Sequence, residues 1–306
     1  MTISTQSSPI YQRYGAEKMC EILKNAGFDG IDFNFDAFIS NKIIKEKLDS
    51  ELYHRDQVLE RAKELKSCAD KYGLKFYQCH SPFPTQFPLW DDETNAKMFE
   101  AQINCLYACQ VMDCPLLVVH PYFYGNARNP STFEEEYEGN IKMYSALIPT
   151  MKETGVKVCL ENMWGQAGKK IYQGCCADPS EAVMYIDKLN EIAGDKLFGF
   201  CCDTGHMVLV GLDLYRAIKT LGDHIFCFHI HDNNGFEDNH YVPGIGTTVW
   251  DRFFKAVYEI GYRGNLDFET ANTQCELFPD DCLIQPSYNL VGAVGKMFIS
   301  KIENYK

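Results

Sequence analysis

Apolar residues recur along the chain in two alternating rhythms. Short, nearly continuous apolar runs fall at residues 2–6, 29–35, 74–80, 115–120, 156–161, 197–203, 225–231 and 264–269. Such runs are expected of strands covered on both faces. Between them, apolar positions return with helical spacing over 12–26, 54–72, 92–112, 132–153, 178–192, 213–221, 249–260 and 287–303. The pattern predicts strictly alternating strands and helices. The helix-to-strand connections are short and marked by Gly27, Gly73, Gly155, Gly194, Gly222 and Gly261, whereas the strand-to-helix segments 36–53, 81–91, 121–131, 162–177, 232–248 and 270–286 are long. All elaboration therefore lies at one end of the strands. In a parallel (β/α)8 barrel that end is the C-terminal face, where active sites are built. The expected fold class is α/β, a single (β/α)8 TIM barrel spanning 1–306. The alternative, a doubly wound open sheet, lacks support because no GxGxxG follows the first strand and no Walker motif occurs.

Composition narrows the partners. The chain has 306 residues with 29 Lys+Arg against 42 Asp+Glu, a formal net charge of −13. That field repels polyanions, so neither nucleic acid nor an anionic membrane is an expected partner. There is no long apolar run, and Met1–Tyr11 lacks the basic and apolar regions of an export signal. A cytoplasmic location is expected. The 14 cysteines are then free thiols rather than a disulfide framework, and no CxxC pair suggests a zinc knuckle. Cys175-Cys176 and Cys201-Cys202 are adjacent pairs.

The chemistry collects at the strand ends. His80, His120, Glu161, Asp203, His231 and Glu269 each follow apolar strand residues directly. Any one of them is explained by a hydrogen-bonded buried histidine or a helix-capping carboxylate. Together in one partly buried mouth, the carboxylates would repel one another unless a cation joined them. An imidazole and carboxylate set without thiolate suits Mn, Mg, Co, Fe or Zn at a catalytic site. His206 lies one turn beyond Asp203, and Asp238 and His240 lie in a loop that ends in Pro243-Gly244-Ile245-Gly246 and reads otherwise as a solvated turn. His229 shares the side-chain parity of His231 but lies deeper, which places it behind the ligands.

These strings resemble the xylose isomerase-like TIM barrels: LEN with Glu161, DTGH with Asp203 and His206, HIHD with His231, the Asp238–Gly246 stretch, and GYRGNLDFE ending in Glu269. That superfamily includes tagatose epimerases, hydroxypyruvate isomerases, inosose dehydratases, C-glycoside deglycosidase subunits and endonuclease IV. The resemblance implies one divalent ion, manganese first, held by Glu161, Asp203, His231 and Glu269, with His206 against substrate and no nucleotide cofactor. Endonuclease IV-like members use further ligands, for which His80, His120, His206, Asp238 and His240 are counterparts. A polynuclear phosphodiesterase is thus allowed, though charge and aromatic loops oppose it. The arginine six residues beyond the ligand histidine of tagatose epimerases is Glu237 here, which argues against a simple ketose 3-epimerase.

The mouth loops are rich in rings: Phe35, Phe38, Phe83, Phe87, Trp90, Tyr122, Phe123, Tyr124, Trp164, Tyr172, Phe236 and Tyr241. Some pack the rim, and the rest offer stacking faces for a sugar or an aglycone. With only Arg128, Lys169 and Lys170 as obvious basic residues there, an unphosphorylated carbohydrate or glycoside is expected. His80, Trp164, Asp238 and His240 are assigned to substrate binding. The preferred reaction is isomerisation or epimerisation through an enediolate: Glu161 and Glu269 move the proton, with His120 and His206 as alternative acid and base. A keto-sugar lyase is the alternative, either a dehydratase or a deglycosidase subunit cleaving a 3-oxo-glycoside beside a small partner subunit. Homo-oligomerisation is expected otherwise. A non-catalytic sugar-binding barrel would have no use for the carboxylates and histidines at the strand ends.

Overall fold

The computed structural model describes residues 1–82, 91–125, 130–270 and 280–305. Phe83, Phe87, Trp90 and Arg128 lie outside the described residues. The strands are β1 (Thr2–Thr5), β2 (Gly30–Asn34), β3 (Lys75–His80), β4 (Leu116–Val118), β5 (Lys157–Glu161), β6 (Trp164–Ala167), β7 (Lys170–Gln173), β8 (Phe198–Asp203), β9 (Ile225–His229) and β10 (Asn265–Phe268). The helices are α1 (Ser8–Ala26), α2 (Asn41–Lys45), α3 (Arg55–Tyr72), α4 (Asp92–Val111), α5 (Phe133–Thr154), α6 (Pro179–Ala193), α7 (Thr204–Leu209), α8 (Leu214–Leu221), α9 (Trp250–Glu259) and α10 (Ile284–Glu303).

A parallel sheet runs in the order β2-β3-β4-β5-β8-β9, and β1 pairs with β10 in parallel. Single bridges, Gln6 to Asp32 and Ile230 to Phe268, join the two pieces. Eight parallel strands therefore close into a TIM barrel, with the helices outside. The short connections predicted at one end have a specific cause. Gly27, Gly73, Gly155 and Gly194 all end helices in the left-handed conformation, so the chain turns into the next strand within a residue or two. At the other ends, Asp91, Thr132, Asp178 and Asp213 accept hydrogen bonds from the first turns of α4, α5, α6 and α8.

The structure differs from the periodicity in a few places. Helix α1 starts at Ser8 rather than residue 12, with a break at Gly15, whose φ of 78° interrupts the helical path. The strand predicted over 225–231 ends at His229, so His231 lies in the loop beyond it. Within 162–177, read as a loop, β6 and β7 form an antiparallel hairpin. Helix α7 follows Asp203 directly and is too short to announce itself by period. Every described cysteine is a free thiol, as expected. No described helix is long and apolar enough to cross a membrane.

Candidate metal centre and active site

Glu161, the last residue of β5, is almost wholly buried, and four imidazoles surround its carboxylate. Its Oε2 lies 3.1 Å from His120 Nε2, 3.2 Å from His229 Nδ1 and 3.5 Å from His80 Nε2, while Oε1 lies 3.4 Å from His206 Nδ1. Burial alone would push the carboxyl up, but His229 and His120 hold it well below the usual carboxylate range. Glu269, just past β10, lies 3.6 Å from His229 Nδ1 and 3.7 Å from His240 Nδ1, and its Oε1 accepts a hydrogen bond from Gln6 at 3.0 Å.

A second group adjoins the first. Asp203 divides its oxygens between two tasks: Oδ1 accepts the backbone N–H of His206 at 2.6 Å and so caps α7, and Oδ2 faces His231 Nε2 at 3.1 Å. Asp238 Oδ2 lies 3.2 Å from both His206 Nε2 and His240 Nε2. His206, His231, Asp238 and His240 each present one donor atom within a common 4.8 Å, as do His80, His120 and Glu161. His240 reaches this position from a left-handed backbone, φ 51°, that non-glycine residues rarely adopt.

Three of the histidines share one arrangement. Nδ1 of His80 lies 2.6 Å from the Ser81 carbonyl, Nδ1 of His206 lies 2.9 Å from that of Asn162, and Nδ1 of His240 lies 2.8 Å from that of Glu269. In its neutral form a ring that donates Nδ1–H to a carbonyl keeps Nε2 as an acceptor turned toward the mouth, as a metal-ligating imidazole requires. His229 uses the opposite edge: Nε2 lies 3.2 Å from Asp32, which directs Nδ1 at Glu161 and Glu269. Burial opposes charge on all these rings, but the carboxylates prevail at His206 and His229, whose basicity rises well above the usual range, and at His240, raised to about 10. His80 is raised by Glu161 against the same burial, whereas burial lowers His120 to about 4. Burial also works against ionised Asp238 and Asp203, yet the neighbouring histidines keep both low.

Nδ1 of His231 and Oδ1 of Asp238 are buried without a hydrogen-bond partner among the described residues. Unsatisfied donor atoms at this depth cost free energy, and their imidazole and carboxylate chemistry fits a divalent cation. The residue set thus fits the metal expected from sequence, with one difference in grouping. Within 4 Å, His231 meets Asp203 and Asp238 rather than Glu161 or Glu269, because it lies past the end of β9. His229 occupies the strand end and takes the place beside Glu161 and Glu269. Its signal was available in the sequence: residues 229 and 231 share parity, and only the strand boundary decides between them.

Three supporting residues were not foreseen. Asp32 aligns His229, Gln6 holds Glu269, and Asn162 joins β5 to β8 by donating to the Asp203 carbonyl and accepting its N–H, both at 2.9 Å. Asp232 is an anchor rather than a ligand: its carboxylate accepts from the backbone of Gly244, Gly246 and Thr248, the Thr248 hydroxyl and the Trp250 indole. Among the rings, Trp164 lies 6.5 Å from His206 across the mouth. Phe35 and Tyr122 are buried packing residues, the latter accepting a hydrogen bond from Gln102, and Phe236 is exposed on the loop.

Comparison with known proteins agrees with this architecture. An uncharacterised protein of Methanocaldococcus jannaschii is 25% identical over 69% of this chain and 69% of its own. The D-psicose 3-epimerase of Ruminiclostridium cellulolyticum is 25% identical over 67% of each. Among solved structures, a D-tagatose 3-epimerase-like protein superposes with a TM-score of 0.69 at 21% identity, covering 99% of this chain and 98% of that one. Residues 20–289 match the family described as xylose isomerase-like TIM barrel, and the chain belongs to that family.

Proposed function

We propose that the protein is a divalent-metal-dependent carbohydrate isomerase or epimerase whose barrel works as one unit over 1–306. The observation that carries this reading is the convergence of Glu161 and Glu269 on His229 Nδ1, at 3.2 and 3.6 Å, among oriented imidazoles. The D-psicose 3-epimerase relative supports sugar epimerisation as the class of reaction. Glu161, Asp203, His231 and Glu269 would hold the ion, with His229 as a further donor. A bound divalent cation would polarise a sugar carbonyl and its neighbouring hydroxyl and acidify the C–H between them.

The chain's own groups then move the proton. One carboxylate, Glu161 or Glu269, removes it from carbon, and the other returns it to the opposite face or the adjacent carbon. His120, the ring that burial keeps neutral, accepts a hydroxyl proton, and His206 donates from the other side. Trp164 covers a sugar C–H face, and His80, Asp238 and His240 hold hydroxyls. Glu237 in place of the arginine of tagatose epimerases favours a substrate other than a simple ketose. The test is metal analysis of the purified protein, followed by a panel of free sugars, keto-sugars and 3-oxo-glycosides. Isomerised sugar supports the reading. Release of water or aglycone would instead make it a lyase, the deglycosidase form requiring a small partner subunit.

A second reading rests on the adjoining His206, His231, Asp238 and His240 group, which offers donors for more than one ion. A polynuclear site would suit phosphodiester hydrolysis of the endonuclease IV kind. The net charge of −13 opposes a nucleic-acid substrate. Cleavage of duplex DNA by the metal-loaded protein, with no turnover of any sugar, would favour this second reading.

A further inference from the structure

Cys175 and Cys176 lie outside the mouth, between β7 and the N-cap of α6, and the proposed reaction does not use them. Their Sγ atoms are 3.8 Å apart. Consecutive side chains in extended backbone point to opposite sides. Here Cys176 adopts φ 58°, a left-handed conformation costly for a residue with a Cβ, and the two thiols approach each other. Strain of this kind persists only where the surroundings fix it.

Two carboxyl groups approach the pair. An oxygen of Glu181 and the two Sγ atoms all lie within 4.8 Å of one another, Glu136 lines the same cleft, and the Cys175 thiol itself meets the Tyr185 hydroxyl and the Asn140 amide, each at 3.6 Å. Cys175, Glu136 and Glu181 line a cleft of about 320 Å³ between the β6–β7 hairpin and the first turns of α5 and α6. Glu181 accepts the Cys176 backbone N–H and Glu136 the Ser131 hydroxyl, both at 3.2 Å, and burial pushes both carboxyls up. Zinc–sulfur bonds of about 2.3 Å in a tetrahedral arrangement place two sulfurs about 3.8 Å apart. Other thiol groups in the chain differ. Cys79, Cys109 and Cys114 approach one another with no carboxylate in their group, and Cys201, which packs with Cys159, Cys227 and Val118 inside the barrel, meets Glu161 and His229 as a single thiol.

We propose that Cys175, Cys176, Glu181 and Glu136 form a second metal site, for a thiophilic divalent cation such as zinc or cadmium, that pins the β6–β7 hairpin behind the mouth. On binding, two S–H bonds break, two metal–sulfur bonds form, and two protons pass to solvent, so no oxidant is needed. The consequence reaches the active site through the backbone. Met163 N–H donates to the Cys175 carbonyl and Gly174 N–H to the Met163 carbonyl, both at 3.0 Å, which ties the cation to the segment between Glu161 and Trp164.

The full chain titrated with Cd²⁺ tests this directly once Cys201, the thiol beside Glu161 and His229, is replaced by serine in every protein compared, because the imidazole and carboxylate ligands then left at the mouth give no cadmium–thiolate charge-transfer band. The band is expected in the otherwise wild-type chain and in Cys79→Ser/Cys109→Ser, and is expected to be lost in Cys175→Ser/Cys176→Ser. Glu181→Gln, which keeps both thiols, should weaken Cd²⁺ about tenfold. In the wild type, Zn²⁺ should also slow tryptic cleavage at the hairpin turn, Lys169-Lys170. Absence of the band in the folded, otherwise wild-type chain, or its persistence in Cys175→Ser/Cys176→Ser, overturns the proposal. If that double variant does not fold, unchanged Cd²⁺ affinity in Glu181→Gln overturns it instead.

Discussion

Glu269 is held in place from both of its oxygens. Gln6 donates to one of its oxygens, and the other faces His229 and His240. Replacing it by glutamine preserves shape and the neighbouring hydrogen bonds but removes the basic oxygen. The expected result for Glu269→Gln is a loss of about 10²- to 10⁴-fold in kcat with an unchanged Tm, the range for a removed acid–base group. Unimpaired turnover would remove Glu269 from the proposed proton transfer. At this scale the sequence was largely legible. Six strand ends carrying His, Asp or Glu pointed to the mouth because they converge on one end of the barrel, although each alone has a structural use, as Asp203 shows by capping α7. The division between His229 and His231 was not legible. It depends on where β9 stops, and strand ends are set by tertiary pairing, here the single Ile230 to Phe268 bridge.

Two loop and helix elements hold the mouth in shape. Asp232 gathers the backbone and side chains of residues 244–250 onto one buried carboxylate. Asp232→Ala leaves those donors unsatisfied. The expected cost is about 3 kcal/mol of stability, read as a lower urea midpoint, with Asp238 and His240 no longer held over the mouth. A wild-type midpoint would show that the loop is held by other contacts. Helix α7 makes the complementary case. A Cβ at Gly205 would lie 2.0 Å from His231 Cε1, so Gly205→Ala must displace that ring. Metal content is expected to fall while the circular dichroism spectrum of the barrel is retained, and full metal occupancy would contradict a ligand role for His231. The sequence pattern located the eight barrel strands and most helices within a few residues, since each has a buried face and several helices also carry a capping residue. It missed the β6–β7 hairpin and α7. The hairpin strands Trp164–Ala167 and Lys170–Gln173 are only partly covered, and α7 is too short for its period to be read.

The whole molecule is acidic, and part of that acidity is concentrated where one end of the barrel gathers Glu161, Asp203, Asp238 and Glu269 among six histidines. The histidines face these carboxylates within 4 Å. A divalent ion would bind the folded chain and not the unfolded one. Restoring Mn²⁺ to chelator-treated protein at about 100 times its Kd should therefore add about 2.7 kcal/mol of stability. No rise in Tm with any divalent ion would leave the histidine–carboxylate network as a purely structural device. The most direct test of the central claim is incubation of the metal-loaded protein with a carbohydrate substrate in D2O. Deuterium carried into recovered, isomerised sugar at the carbon beside the carbonyl, and lost in Glu269→Gln, is the predicted result. Turnover without any solvent deuterium in the sugar would contradict proton exchange by Glu161 and Glu269.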